Sequence, residues 1–146
     1  MLVVEPVRDG DLDPVSWLAY RALQEQYDPD WLAHHAQTKT GTFLVARDVP
    51  TNRIVGFALA DNEACEGHLL ALAVDRQRRG EGIGSALLKN VRDHMARQGA
   101  YKLSLEVRAD DQKAQVFYSR HGFSPEGLET HVYSDGSDAV KMARPL

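Results

Sequence analysis

Cys65 is the only cysteine among 146 residues, which excludes an internal disulfide and any cysteine-built zinc cage. No apolar run reaches the roughly eighteen residues of a membrane-spanning helix, and the amino terminus lacks the charged-then-apolar pattern of a secretory signal. A soluble cytoplasmic protein without membrane contact is therefore expected. A basic surplus is also missing. The 17 Lys and Arg against 21 Asp and Glu leave a net charge of −4, which argues against nonspecific nucleic-acid binding and suits a cationic partner. His34 and His35 have no second ligand pair at metal spacing, so no metal site is expected. There are no repeats or low-complexity linkers, and the length fits one ordinary core, so residues 1–146 read as a single domain.

The informative stretch runs from Leu69 to Leu88, LLALAVDRQRRGEGIGSALL. An apolar run passes through an arginine- and glycine-rich loop directly into a helical pattern. Free N–H groups and the positive dipole end at a helix start attract phosphate, and glycine allows close approach. Neither the P-loop nor the dinucleotide fingerprint fits: Gly80, Gly82 and Gly84 alternate, Ser85 and Leu87 stand where a third fingerprint glycine would fall, and Lys89 lies too deep in the helix. The pattern that does fit is [R/Q]-x-x-G-x-[G/A], read as Arg79, Gly82 and Gly84.

Periodicity supplies the remaining elements. Leu2 to Val7 reads as a strand, and Asp13-Pro14 as the N-cap and first position of a helix through Ala22. A second helix is expected from Asp30 to about Gln37. Strands Phe43–Arg47 and Ile54–Ala60 form a hairpin around D-V-P-T-N. His68 to Val74 is nearly all apolar, which predicts burial on both faces at the centre of a sheet. After the glycine loop, Ile83, Leu87, Val91 and Met95 form one helical stripe ending near Gly99. Lys102–Val107 alternates as a strand, and Asp110 or Asp111 N-caps a short helix ending at Gly122. Leu128–Tyr133 and Ala139–Met142 read as a closing hairpin. Cys65 falls in a turn, with no histidine partner of known orientation for covalent chemistry.

The loop V-D-x-x-x-R-G-x-G-I-G-S-A-L-L, followed by L-E-V-R at Leu105–Arg108, Ala114 and F-Y-S-R-H-G-F at Phe117–Phe123, resembles the GNAT acetyltransferase superfamily. The resemblance is strongest from Ile54 to Phe123. It implies an α/β (α+β) single-domain fold, with a mixed, mostly antiparallel sheet flanked by about four helices. It also implies acetyl-CoA as cosubstrate, its pyrophosphate cradled by Arg79, Gly80, Glu81, Gly82, Ile83, Gly84 and Ser85. The main chain of Leu72, Ala73 and Val74, where the family has a strand bulge, would bind the thioester carbonyl. Tyr118 would stand near the thioester sulfur, and Asp111, in place of the family's asparagine, would reach the coenzyme arm. Arg76 replaces the family's usual proline and adds a cation near the phosphates.

On the same resemblance, Glu106 is the general base, acting directly or through water. A solvated glutamate beside Ser104 and Arg108 on an alternating strand is the alternative. A tyrosine hydroxyl, with a reference pKa near 10 against about 8.5 for a thiol, can donate to a departing thiolate. Of the adjacent pair, Phe117 is the expected core member. The ending H-V-Y-S-D-G-S-D-A-V-K-M resembles that of ribosomal-protein N-terminal alanine acetyltransferases and their archaeal relatives, where a tyrosine holds the peptide start. Tyr133 keeps the second aromatic of that pattern and Val132 replaces the first. Tyr27 and Trp31 are further residues for the acceptor mouth. An α-amine, with a pKa near 8 against about 10.4 for lysine, is far more often uncharged near neutral pH. The expected partner is thus a protein N-terminus. A small amine (polyamine, aminoglycoside or amino acid) and a non-catalytic coenzyme A-binding regulator remain the alternatives, and the chain is a monomer or homodimer.

Overall fold

The computed structural model describes residues 1–146 and contains one seven-stranded sheet. In chain order the elements are β1 (Leu2–Pro6), α1 (Leu12–Leu23), α2 (Pro29–Gln37), β2 (Thr42–Asp48), β3 (Arg53–Glu63), β4 (Glu66–Val74), α3 (Ile83–Arg97), β5 (Lys102–Arg108), α4 (Gln112–Arg120), β6 (Ser124–Glu129) and β7 (Ala139–Pro145). The strands lie side by side as β1-β2-β3-β4-β5-β7-β6. Every neighbouring pair is antiparallel except β4 and β5. The sheet is therefore mixed and mostly antiparallel, as expected, with β4 at its centre. No helix is long and apolar enough to cross a membrane, and no group of three or more His, Cys, Asp or Glu is placed to hold a metal ion.

Alternation along the strands divides the core between the two faces. The larger cluster joins Ile83, Leu87, Leu88, Val91 and Met95 of α3 to Leu44, Ala58, Leu103, Leu105 and Met142, with Tyr118 of α4 on the same face. Each fully buried side chain of this size contributes about 1.5–3 kcal/mol as an upper estimate. On the opposite face Val15, Leu18 and Ala19 of α1 and Leu32 of α2 cover Val45, Phe57, Leu59, Ala71 and Ala73.

The feature that positions the site is a break in pairing. Leu59 and Ala60 of β3 oppose Ala71 and Leu69, so Leu70 is an extra, bulged residue. A bulge bends its strand and increases twist. β4 meets β5 only at Glu66–His68 against Lys102–Ser104, and beyond that point the two strands part. This also explains the burial of β4, which alternates between buried and half-buried instead of being enclosed on both faces. Leu70, Leu72 and Val74 are only partly covered.

Several boundaries differ from the sequence expectation. α1 begins at Leu12, because a 3₁₀ turn at Asp9–Asp11 runs straight into it. Pro14 is thus inside the first turn, where it is tolerated, and Asp13 is not the cap. Asp11 instead turns inward and accepts from the Arg8 N–H at 2.8 Å and from buried Arg47 at 2.7 Å. α2 is capped by Asp28, whose side chain accepts from the Asp30 N–H. The strand expected at Leu128–Tyr133 is instead Ser124–Glu129, since β7 continues to Pro145 and pairs with the earlier segment. Tyr133 therefore sits in the β6–β7 connection.

The β3–β4 hairpin turns on Ala64 and Cys65, both with positive φ, 53° and 64°. Two-residue turns with positive φ at both positions favour Asn-Gly. The double substitution Ala64→Asn, Cys65→Gly is expected to raise stability by about 1–2 kcal/mol, the cost of left-handed backbone in non-glycine residues, and thermal unfolding will read it as a higher Tm. Cys65 lies in this turn, outside the cleft described next.

Candidate active site

Where β4 and β5 part, a cleft of about 760 Å³ opens. Its walls are Leu69–Leu72 of β4, Leu105–Arg108 of β5, Asp111, Ala114 and Tyr118 around α4, Gln24, Glu25 and Tyr27 between α1 and α2, and Tyr133–Asp135 between β6 and β7. The β4 edge facing β5 has no strand partner after His68. Main-chain donors and acceptors on such an edge are available to a ligand. Of the three expected main-chain donors, Leu72 lines the cleft, whereas the Ala73 side chain is buried under α1 and Val74 packs toward α3.

Gly80 and Gly82 adopt φ of 81° and 82°. A Cβ on either would meet nothing within 4 Å, so the loop faces open space and the constraint is the backbone itself. With α3 starting at Ile83, the N–H groups of Gly82 to Ser85 fall in the unpaired first turn. The Ile83 side chain is buried, leaving only its main chain to a ligand. Gly84 lies against Phe117, and a Cβ there would make ordinary contact with its ring at 3.4 Å, which agrees with the glycine-or-alanine position of the motif. The Glu81 carboxylate is paired, because Arg78 Nε donates to both of its oxygens at 3.1 and 3.0 Å, and Asp75, at the start of the loop, accepts from the Gln77 N–H. Arg79 is exposed. His121 Nδ1 lies 2.8 Å from the Phe117 carbonyl and must donate to it, so in the neutral ring Ser85 donates to Nε2 at 2.9 Å.

Glu106 is the one exposed position in the otherwise covered centre of β5. Leu103, Leu105 and Val107 point to the α3 face, so Ser104, Glu106 and Arg108 point to the other. His68 of β4 joins two of them: its Nδ1 is 3.1 Å from Ser104 Oγ and its Nε2 is 3.8 Å from Glu106 Oε1. Ser104 is buried and donates to the Gly67 carbonyl at 3.4 Å. The Ser104 hydroxyl lies between that carbonyl and His68 Nδ1, and the ring edge carrying Nε2 faces the carboxylate. Sequence reasoning missed this pair because its only cause is the His68–Ser104 register of the parallel pairing.

Tyr118 reaches the cleft from the α3 face. Burial, and secondarily the charge of Asp111, pushes its hydroxyl pKa upward, which keeps it a neutral donor. Tyr118, not Phe117, is the core member of the pair, because the α4 stripe is Ala114 and Tyr118, four residues apart. Phe117 is half-buried against the start of α3 and stacks on His121 at 4.6 Å. Asp111 Oδ1 accepts from the Ala114 N–H at 3.0 Å, so the carboxylate that lines the cleft also caps α4.

On the acceptor side, the Tyr27 hydroxyl donates to Glu25 Oε2 at 2.5 Å; burial first, then this bond, pushes its pKa upward. Trp31 does not line the cleft. It backs Tyr27 at 5.1 Å and meets His35 edge-on at 4.5 Å. Opposite, Tyr133 lies under the Arg108 guanidinium, with Cζ 4.7 Å from the ring centre. Asp135 is held at a pKa of about 2 by hydrogen bonds from Ser137 and then from Arg108. The acceptor mouth thus carries the carboxylates Glu25 and Glu106, with Asp135 paired to Arg108, while Arg76, Arg78 and Arg79 lie in the loop after β4.

Residues 11–123 match the family model described as "Acetyltransferase (GNAT) family". An N-alpha-acetyltransferase of Sulfurisphaera tokodaii is 30% identical over 98% of this chain and 92% of its own length. The [ribosomal protein bS18]-alanine N-acetyltransferase of Escherichia coli is 33% identical over 88% and 89%. The crystal structure of the Escherichia coli ribosomal-protein-S18-alanine N-acetyltransferase superposes with a TM-score of 0.88 at 26% identity, covering 99% of this chain and 94% of that one.

Proposed function

The chain belongs to the GNAT acetyltransferase family and is an acetyl-CoA-dependent N-acetyltransferase, and we propose that its acceptor is the α-amino group of a protein or peptide N-terminus. The observation that carries this reading is the cleft itself. It passes between β4 and β5 and is bordered by an acidic mouth, with Glu106 entering from one face of the sheet and Tyr118 from the other. The relatives described above are an N-alpha-acetyltransferase and a ribosomal protein bS18 alanine N-acetyltransferase, which supports this class of acceptor.

The residues present fit the coenzyme. Open space above Gly80 and Gly82, free N–H groups at the start of α3 and the exposed Arg79 suit a pyrophosphate. The unpaired β4 edge suits the amides of an extended pantetheine arm, taken up much as an added strand would be. Acetyl-CoA supplies a thioester whose carbonyl carbon is attacked by the neutral amine, with release of the thiol. Glu106 takes the proton of the incoming ammonium, directly or through water. Main-chain N–H groups near Leu72 hold the developing oxyanion. Tyr118 donates to the departing sulfur from the opposite face, so base and donor do not compete for one proton.

Tyr118→Phe is expected to lower kcat roughly tenfold to a hundredfold, with coenzyme affinity nearly unchanged by calorimetry; an unaltered kcat would leave Tyr118 as a core residue only. The acceptor class is tested by thiol release from acetyl-CoA with peptides beginning Ala, Ser or Met, against polyamines, aminoglycosides and free amino acids. Release with peptides is the expected result. Release only with small amines, or coenzyme binding without release, would overturn the proposal.

A further inference from the structure

The connection between β6 and β7 is a compact unit bonded mainly to itself. The Val132 and Tyr133 N–H groups donate to the Ser137 carbonyl at 3.0 and 3.2 Å, and Gly136 N–H donates to the Tyr133 carbonyl at 2.9 Å. Asp135 Oδ1 accepts from the Ser137 N–H at 2.9 Å. Such a loop holds its own shape, but its place over the cleft needs an external anchor. Besides a backbone bond from the Ala109 N–H to the Asp138 carbonyl at 2.9 Å, its side-chain anchor is one residue of β5. Arg108 donates through Nη2 to Asp135 Oδ2 at 2.5 Å and to Ser137 Oγ at 2.7 Å, and its guanidinium covers the Tyr133 ring. Its Nε also lies 3.4 Å from Asp110 Oδ1, ahead of α4. Asp135 is thus the joint, with one oxygen tied to its own loop and the other to the strand. Behind Arg108, Gln115 of α4 donates to the Arg108 and Ala109 carbonyls at 3.2 and 3.0 Å, so the anchor itself is fixed.

We propose that Arg108 is a positioning residue for the acceptor: it pins the Tyr133 loop through Asp135 and Ser137 and thereby sets the width of the peptide mouth. The inference rests on the peptide-acceptor reading above. A planar guanidinium, unlike an ammonium, can bond Asp135 and Ser137 while lying flat on an aromatic ring. Tyr133 faces the Glu25 and Tyr27 side of the same cleft, so a displaced loop loosens the grip on the peptide start. The glycine loop and the β4 edge are untouched, and coenzyme binding should not change.

The test uses the full chain with acetyl-CoA and an Ala-starting peptide. Arg108→Met keeps the alkyl stem and is expected to raise the peptide KM roughly tenfold, as loss of a partly exposed charged hydrogen-bond cluster, with kcat altered about threefold or less and coenzyme Kd unchanged. Arg108→Lys should recover part of the KM. Asp135→Asn, on an exposed loop outside the sheet, should give a similar KM rise, and the double variant should be no worse than the larger single one, since both remove the same link. Hydrogen exchange at residues 132–137 should accelerate in both single variants. An unchanged peptide KM, a parallel fall in coenzyme affinity, or multiplying effects would overturn the inference. If the unmodified chain acetylates no peptide, it is the acceptor reading that fails; faster exchange in the variants then supports the anchor and unchanged exchange refutes it.

Discussion

Glu106→Gln is expected to lower kcat by about 10²- to 10⁴-fold, the usual contribution of a positioned general base, with coenzyme affinity unchanged. An α-amine with a pKa near 8 is mostly ammonium at neutral pH, so a proton must leave before nitrogen can attack. The amide keeps the size and polarity of the side chain but cannot accept that proton. Glu25 still supplies negative charge at the mouth, so attraction of the ammonium survives in part and the loss should fall on kcat more than on KM. Thiol release at saturating acetyl-CoA with an Ala-starting peptide measures it. A kcat within a few-fold of the unmodified chain would return Glu106 to a solvated strand residue.

Gly82→Val should weaken coenzyme binding roughly tenfold to a thousandfold. At φ 82° a β-branched side chain costs about 1–2 kcal/mol or more, and the loop relieves that strain only by moving. Moving it misaligns the N–H groups at the start of α3, each worth about 1.5–3 kcal/mol when bonded to a charged acceptor. Were the loop to stay in place, the isopropyl group would occupy the open space that suits a phosphate. Calorimetry with coenzyme A reads either route as lost affinity, and an unchanged Kd would show that the pyrophosphate binds elsewhere. Because the position is exposed, the fold itself should survive.

The glycine loop, the α3 stripe and the order of strands were legible because they are local: apolar spacing sets each element and the glycines punctuate it. Glu106 and Tyr118 were placed by their motifs on the two elements that do flank the cleft. What stayed hidden depends on pairing between distant segments. A bulge near Leu72–Val74 was implied by the resemblance, but the pairing puts it at Leu70, a position that leaves no mark in an all-apolar run. The His68–Ser104–Glu106 cluster follows from a three-residue parallel register, and the Arg108 anchor from contact between residues 27 apart in sequence. Phe117 and Tyr118 were exchanged because adjacent aromatics on a helix look alike until the neighbour at Ala114 fixes the stripe. Trp31 was placed one layer too far forward, since helical spacing cannot tell a wall from its backing.

The short junction at Glu66–His68 also bears on how the molecule holds together. Three residue pairs of backbone and the bond from the Tyr101 N–H to the Cys65 carbonyl join the β1–β4 part of the sheet to the β5–β7 part, and past them the two parts rely on packing against α3. A cosubstrate arm lying along the open β4 edge would supply pairing that the polypeptide itself omits. Loading and cohesion are then linked equilibria: at a coenzyme concentration one hundred times Kd, the folded state gains about 2.7 kcal/mol. After each turnover, release of the free thiol product temporarily withdraws that support from the seam.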